Sequence, residues 1–276
     1  MNVFDQMISR YEIQTNDDHT NAVHEVMQQI ALAGLNRGGF FNKAAFYGGT
    51  CLRIFYGSQR FSEDMDFSLL HPDENFTLEN YFKPIKAEFN ALGRDVLISK
   101  KEKKINSNIE SAFLKNDTAI YNLQFRTEHN IKIKIEVDIN PPLDFSTEHK
   151  LLLLPFSFMT RCYTMHDLFA GKMHAFLFRK WKNRVKGRDW YDFEWYIRNN
   201  VALNFHHLCQ RINQFGSCGN DEMTKNNFKL LLKEKILQTN IEMVKNDVRP
   251  FLKNQEGMAI WTTDYFIQLV DMIHFK

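Results

Sequence analysis

With 276 residues, of which 44% are hydrophobic and 25% charged, the chain can bury a substantial core as one large domain or two small ones. A formal net charge of +2 gives no global pull toward nucleic acid, so any basic function must be local. The four cysteines (Cys51, Cys162, Cys209, Cys218) lack Cys-x-x-Cys spacing, and no window nears the ~18 consecutive apolar residues of a membrane span, which sets aside zinc, a disulfide framework and an integral membrane protein.

The first residues carry no positive stretch followed by an apolar run, so no signal peptide is expected and the protein is placed in the cytoplasm. Residues 1–20 are polar and are expected to be partly mobile. Apolar residues at 23, 26, 27, 30 and 34–35 follow a helical period, ended by Gly38-Gly39. A short strand ends at Tyr47, followed by the small-residue turn Gly48-Gly49-Thr50 and a helix to about Tyr56. Asp64 to Leu70 reads as a strand. Leu78 to Leu92 reads as a helix in which Pro84 introduces a kink, and Asp95 to Lys101 as another strand.

Residues 102–117 carry no clear pattern. Ala119–Thr127 and Ile131–Asn140 alternate with period 2 around Glu128-His129-Asn130, the signature of a hairpin. Pro141-Pro142 breaks it, and a loop is expected as far as Pro155. Thr164-Met165-His166-Asp167 has the form of a capping box opening a long helix, and helical patterns dominate from there on, with a loop at Gly216–Gly219. The 25 phenylalanines are read as core filling. The expected fold is α/β (α+β): a mixed sheet with flanking helices over residues 1–158, then a helical region over 159–276 that completes a cleft.

Chemistry concentrates between Tyr47 and Leu69. Alternate strand residues share a face, so Asp64 and Asp66 point the same way, about 6.6 Å apart, while Met65 and Phe67 point inward. Two carboxylates so placed repel each other unless a cation lies between them, which suits Mg²⁺ (or Mn²⁺) clamped on a polyphosphate. The glycine bend lets backbone N–H groups approach a phosphate at a helix start. In the second hairpin strand Lys132, Lys134, Glu136 and Asp138 fall on one face. This is either a solvated face or the source of a third carboxylate, for which Glu136 and Asp138 both fit. Lys172 lies in a largely apolar helical stripe, from which it either extends to solvent or reaches a triphosphate. Seven Lys or Arg residues (172, 179, 180, 182, 184, 186 and 188) and no acid lie between Asp167 and Asp189, a solvated run or an RNA-backbone surface.

Gly-Gly-Thr, thirteen residues, then Asp-x-Asp resembles the signature of the DNA polymerase β-like nucleotidyltransferase superfamily. The string Arg60-Phe61-Ser62-Glu63-Asp64-Met65-Asp66 resembles its AbiEii/AbiGii toxin branch, as do Ala170-Gly171-Lys172-Met173-His174 and Arg188-Asp189-x-x-Asp192. The resemblance implies a metal-dependent nucleotidyltransferase, the toxin of a type IV toxin–antitoxin or phage-defence system, that moves a nucleoside monophosphate from an NTP to an acceptor hydroxyl. Asp64, Asp66 and Glu136 would hold the metal. Glu136 is favoured over Asp138 because the resembling families show Lys-x-Glu or Lys-x-Asp there. Gly48, Gly49, Thr50 and Lys172 would hold the triphosphate, with Arg60, Ser62 and Arg188 close by and Asp189 in the site wall beside Lys172. The implied acceptor is RNA, preferably a tRNA 3′ end, and the implied partner an antitoxin. A metal-dependent nuclease and a non-enzymatic nucleotide-binding interaction module are the two rival readings of the same residues.

Overall fold

The computed structural model describes residues 2–100, 118–126, 131–179, 185–214 and 223–276. Packing divides the chain into two units. Met1–Cys51, Ser62–Pro141 and Thr147–Cys162 form the first; Leu52–Phe61, Pro142–Ser146 and Tyr163–Lys276 form the second. Residues 52–61 and 142–146 thus join the second unit although they precede the helical half. Hydrogen bonds from their backbone N–H groups tie them there: Phe61 N–H donates to the Phe251 carbonyl (2.9 Å), and Ser146 N–H to the Asp167 side-chain carboxylate (3.2 Å).

In the first unit, helices α1 (Val3–Ile8) and α2 (Asn16–Arg37) lead into strand β1 (Ala44–Tyr47). Within the polar N-terminus α1 forms a short helix that buries Phe4 and Met7. Helix α2 starts several residues before the apolar period does. Thr15 accepts from Asp18 N–H while the Asp18 carboxylate accepts from Thr15 N–H (3.0 Å), a reciprocal cap that a polar segment can supply without any apolar residue. Helix α3 (Gly48–Tyr56) follows β1 directly and continues from the first unit into the second.

Strand β2 (Met65–Leu69) comes next, then helix α4 (Phe82–Ala91), preceded by a 3₁₀ turn at Leu78–Tyr81. Pro84 therefore stands in the first turn of α4. No intrahelical hydrogen bond is lost there, and the expected kink is replaced by a helix start. Strands β3 (Val96–Lys100), β4 (Thr118–Phe125), β5 (Lys132–Asp138), β6 (Thr147–Leu152) and β7 (Phe158–Tyr163) complete a seven-stranded sheet of order β3-β4-β5-β2-β1-β7-β6. The turn of the β4–β5 hairpin lies outside the described residues, as does the loop at 216–219.

β6 replaces part of the loop expected as far as Pro155, and β7 occupies the stretch beyond it, to which the sequence pattern assigns no element. β6 is an edge strand with exposed Leu151, while β7 turns Thr160 inward and Met159 outward, so neither shows clean apolar alternation. At the sheet centre β2 pairs antiparallel with β1 and parallel with β5. Phe67 is packed by Phe46 (stacked, 4.9 Å) and Phe40 (edge-on, 5.0 Å), all fully buried.

The second unit contains α5 (Met165–Phe178), α6 (Gly187–Arg198), α7 (Phe205–Gln214), α8 (Lys225–Leu237), α9 (Ile241–Val248) and α10 (Thr263–Asp271). Phe169 stacks on Tyr196 at 4.5 Å and Trp190 meets Phe266 edge-on at 4.8 Å, so Trp190 and Tyr196 of α6 serve the core. The start of α5 is held differently from the capping box anticipated. The Thr164 hydroxyl donates to Asp167 (2.5 Å), whose carboxylate also accepts from Ser146 N–H and Asn204 Nδ2 (2.7 Å). Asp167 thus staples three segments together, and Thr164 makes no side-chain cap.

Candidate active site

Gly48 has φ +80°, a left-handed conformation that turns the chain from β1 into α3. An alanine Cβ there would overlap the Asp66 carboxylate, with Asp66 Cβ and Cγ each 3.0 Å away. The bare Cα lets Asp66 lie against the bend, at the helix end whose first N–H groups lack intrahelical acceptors. Thr50 is fully buried, and its hydroxyl donates to the Asp64 carbonyl. That bond joins the first turn of α3 to the residue before β2. From α2, the buried Gln28 side chain donates to the carbonyls of Ser62 (2.9 Å) and Glu63 (3.0 Å). The approach to Asp64 is held from both sides.

Parallel pairing of β2 with β5 sets Asp66 opposite Glu136 and Ser68 opposite Asp138. Neighbouring strands lie about 4.8 Å apart, so Asp66 and Glu136 are side by side on one face. Ile133, Ile135 and Val137 are fully buried on the other face. Asp138 lies one pleat further along, where its carboxylate accepts from Asn140 N–H at 3.2 Å. Between the acids stands Lys134, whose ammonium lies 3.0 Å from Asp64 Oδ2 and 3.1 Å from Glu136 Oε1. Burial opposes this charge, yet the Glu136 and Asp64 carboxylates outweigh it and raise the Lys134 pKa. Among the described residues no three His, Cys, Asp or Glu side chains converge as a ready metal cluster.

The second unit holds a buried charge network of its own. Arg60 grips Asp192 with two parallel bonds, Nε to Oδ1 at 2.5 Å and Nη2 to Oδ2 at 2.6 Å, while Nη1 donates to the Phe61 carbonyl (3.0 Å). Lys172 Nζ lies 2.7 Å from Asp189 Oδ1 and 2.8 Å from Asp192 Oδ2. Asp189 and Asp192, at i and i+3 on α6, therefore present one face to Lys172. Burial pushes the Asp189 carboxyl up, but Lys172, Arg179 and Lys186 hold it down at about 2. Asp192 is likewise lowered, its burial overcome by Arg60 and Lys172. Burial and the nearby Arg179 depress Lys186 to about 8.

Arg60, Lys172, Ser62 and Arg188 are each engaged within the protein. Arg60 is 2% exposed and tied to Asp192 in a buried ion pair. Asp189 and Asp192 take two of the three N–H donors of Lys172, leaving at most one for a phosphate. Ser62 contributes its carbonyl to Gln28, and the Arg188 guanidinium lies 4.0 Å over the Phe251 ring. Lys134 was legible from strand alternation, being two residues before Glu136. Gln28 was not: nothing marks one glutamine in a helix as the clamp on a segment 34 residues on. Of the basic run, residues 180, 182 and 184 lie outside the described residues.

Adjacent acids on neighbouring strands of a mixed sheet, below a glycine bend that opens a helix, form the corner expected of a nucleotidyltransferase. The sequence matches the family model described as nucleotidyl transferase AbiEii toxin, type IV toxin–antitoxin system, over residues 30–268, and the chain belongs to that family. The fold is similar to that of MenT4, a nucleotidyltransferase toxin from Mycobacterium tuberculosis H37Rv, with a TM-score of 0.62 at 15% identity over 97% of this chain and 88% of that one. It is also similar to JHP933 from Helicobacter pylori, with a TM-score of 0.55 at 16% identity over 92% and 91% of the two chains. No curated protein matches the sequence. The protein is a nucleotidyltransferase toxin, and its family implies a nucleotide substrate and an antitoxin partner. No helix among the described residues is long and apolar enough to cross a membrane.

Proposed function

We propose that the protein transfers a nucleoside monophosphate from an NTP to an acceptor hydroxyl of RNA, preferably a tRNA 3′ end, in a reaction that requires Mg²⁺ or Mn²⁺. The observation that carries this reading is the placement of Asp66 against the Gly48 bend and beside Glu136. A phosphate received by the N–H groups of α3 would lie next to the Asp66 carboxylate, and two anions at that distance need a cation between them. The residues fit such a cation, because a charged ammonium already stands between Asp64 and Glu136. Asp64, Asp66 and Glu136 would hold the metal, which when bound neutralises phosphate charge and makes an attached hydroxyl more acidic.

Each residue then has a task. Gly48 and Gly49 receive the phosphates through their backbone. Thr50 and Gln28 position Asp64. Glu136 takes the proton of the acceptor hydroxyl as its oxygen bonds to the α-phosphorus; the bond from α-phosphorus to bridging oxygen breaks and pyrophosphate leaves. Such catalysis is chiefly positioning and charge stabilisation. Lys172 and Asp189 are assigned to the same reaction through their match to the family strings. The preference for tRNA rests on that resemblance alone.

The test is incubation of the protein with each α-labelled NTP, Mg²⁺ and total tRNA. Label is expected to move to tRNA, and Asp64→Asn or EDTA is expected to abolish the transfer. Absence of label on any acceptor would overturn the proposal, and RNA shortened without added nucleotide would favour a nuclease.

A further inference from the structure

We propose that Lys134 is a resident counter-cation of the carboxylate corner, which a divalent metal must displace before it can bind there. This rests on the metal-dependent reading above and deepens it. Register places the lysine: Met65 pairs with Ile135, so Asp64 is level with Lys134, and Glu136 follows two residues later on the same face. The ammonium reaches both acids, at 3.0 and 3.1 Å. A metal using Asp64 Oδ2 and Glu136 Oε1 would need the same oxygens and would repel the ammonium beside it.

The side chain is able to leave. Lys134 is one-third exposed (33%), and a lysine carries its charge on a flexible four-carbon stem. While it stays it relieves repulsion between the acids, but it also taxes metal binding. If the lysine holds the acids nine-tenths of the time, apparent metal affinity falls about tenfold, in proportion to the competent fraction. An arriving triphosphate offers the displaced ammonium a replacement anion, so metal and nucleotide load together and the metal alone loads poorly. Lys134 is on this account a positioning residue that acts through Asp64 and Glu136.

The experiment is a Mn²⁺ titration of the full chain without nucleotide, following free Mn²⁺ by electron paramagnetic resonance. Lys134→Met is expected to bind Mn²⁺ about tenfold more tightly than wild type. Lys134→Gln, which keeps a polar side chain, is expected to do likewise and serves if the methionine variant fails to fold. Lys134→Arg, which retains the charge, is expected to stay near wild type. Melting provides a second readout: Lys134→Met should melt below wild type in metal-free buffer and recover with saturating Mn²⁺. Neutral variants that bind Mn²⁺ with wild-type affinity or more weakly overturn the role of Lys134 and leave the transferase reading standing. If wild type and variants all fail to take up Mn²⁺, with or without NTP, the metal-dependent reading falls with it.

Discussion

Replacing Gly48 with alanine probes the point where backbone bend and carboxylate meet. At φ +80° an L-residue pays about 1–2 kcal/mol for the left-handed backbone alone. The new Cβ also overlaps the Asp66 carboxylate, so either Asp66 or the bend must move. Gly57 supplies the control. It has φ +82° and nothing within 4 Å of its would-be Cβ, so Gly57→Ala carries the backbone cost without the overlap. One kcal/mol corresponds to about 2–4 °C in a large domain, which predicts a loss of roughly 2–8 °C for Gly57→Ala with transfer retained. Gly48→Ala should lose more stability than this. Its rate should fall by about 100-fold, the usual cost of misplacing a reacting group by about 1 Å. Thermal unfolding by circular dichroism and initial rates of labelled transfer measure the two effects. Equal melting losses and equal rates in the two variants would refute the claim that Gly48 is glycine on account of Asp66.

The buried network of the second unit makes two further predictions. Asp192→Ala strips Arg60, itself 2% exposed, of its bidentate partner, and breaking a buried pair from one side costs about 3–5 kcal/mol. Urea unfolding should show that loss, and an unchanged midpoint would mean the pair is not holding the unit together. Asp189 is held at about 2 against an ordinary 3.8, so its contribution of about 2 kcal/mol is complete above the ordinary value and disappears as pH falls through about 2. Urea midpoints measured from pH 5 down to pH 2 should fall less steeply for Asp189→Asn than for wild type. Parallel pH profiles would rule out the depressed carboxyl.

How far the site was legible depends on how local each signal is. The acid-bearing face of β5 could be read directly, because Lys134, Glu136 and Asp138 alternate with Ile133, Ile135 and Val137 and the pleat sends alternate residues to opposite sides. The pairing of Asp189 with Lys172 was legible through the family strings, and its i, i+3 companion Asp192 through helical spacing. The partner of Arg60 was not, since 132 residues separate it from Asp192 and no period links them. The edge strand β6 escaped for a different reason: pairing on one side only leaves an edge strand partly wet, so polar Thr147-Glu148-His149-Lys150 reads as loop.

The amino-acid sequence by itself determined the family, the glycine bend, the Asp-x-Asp pair and the face on which β5 carries its charges, because each is set by residue identity or by a two-residue repeat. Tertiary structure alone decided that Asp66 lies opposite Glu136, that Asp66 rests on Gly48, and that Lys134 fills the gap between Asp64 and Glu136. Those contacts depend on which strands pair and in what register, and pairing between segments some 70 residues apart is chosen by burial of the whole sheet, not by any local pattern.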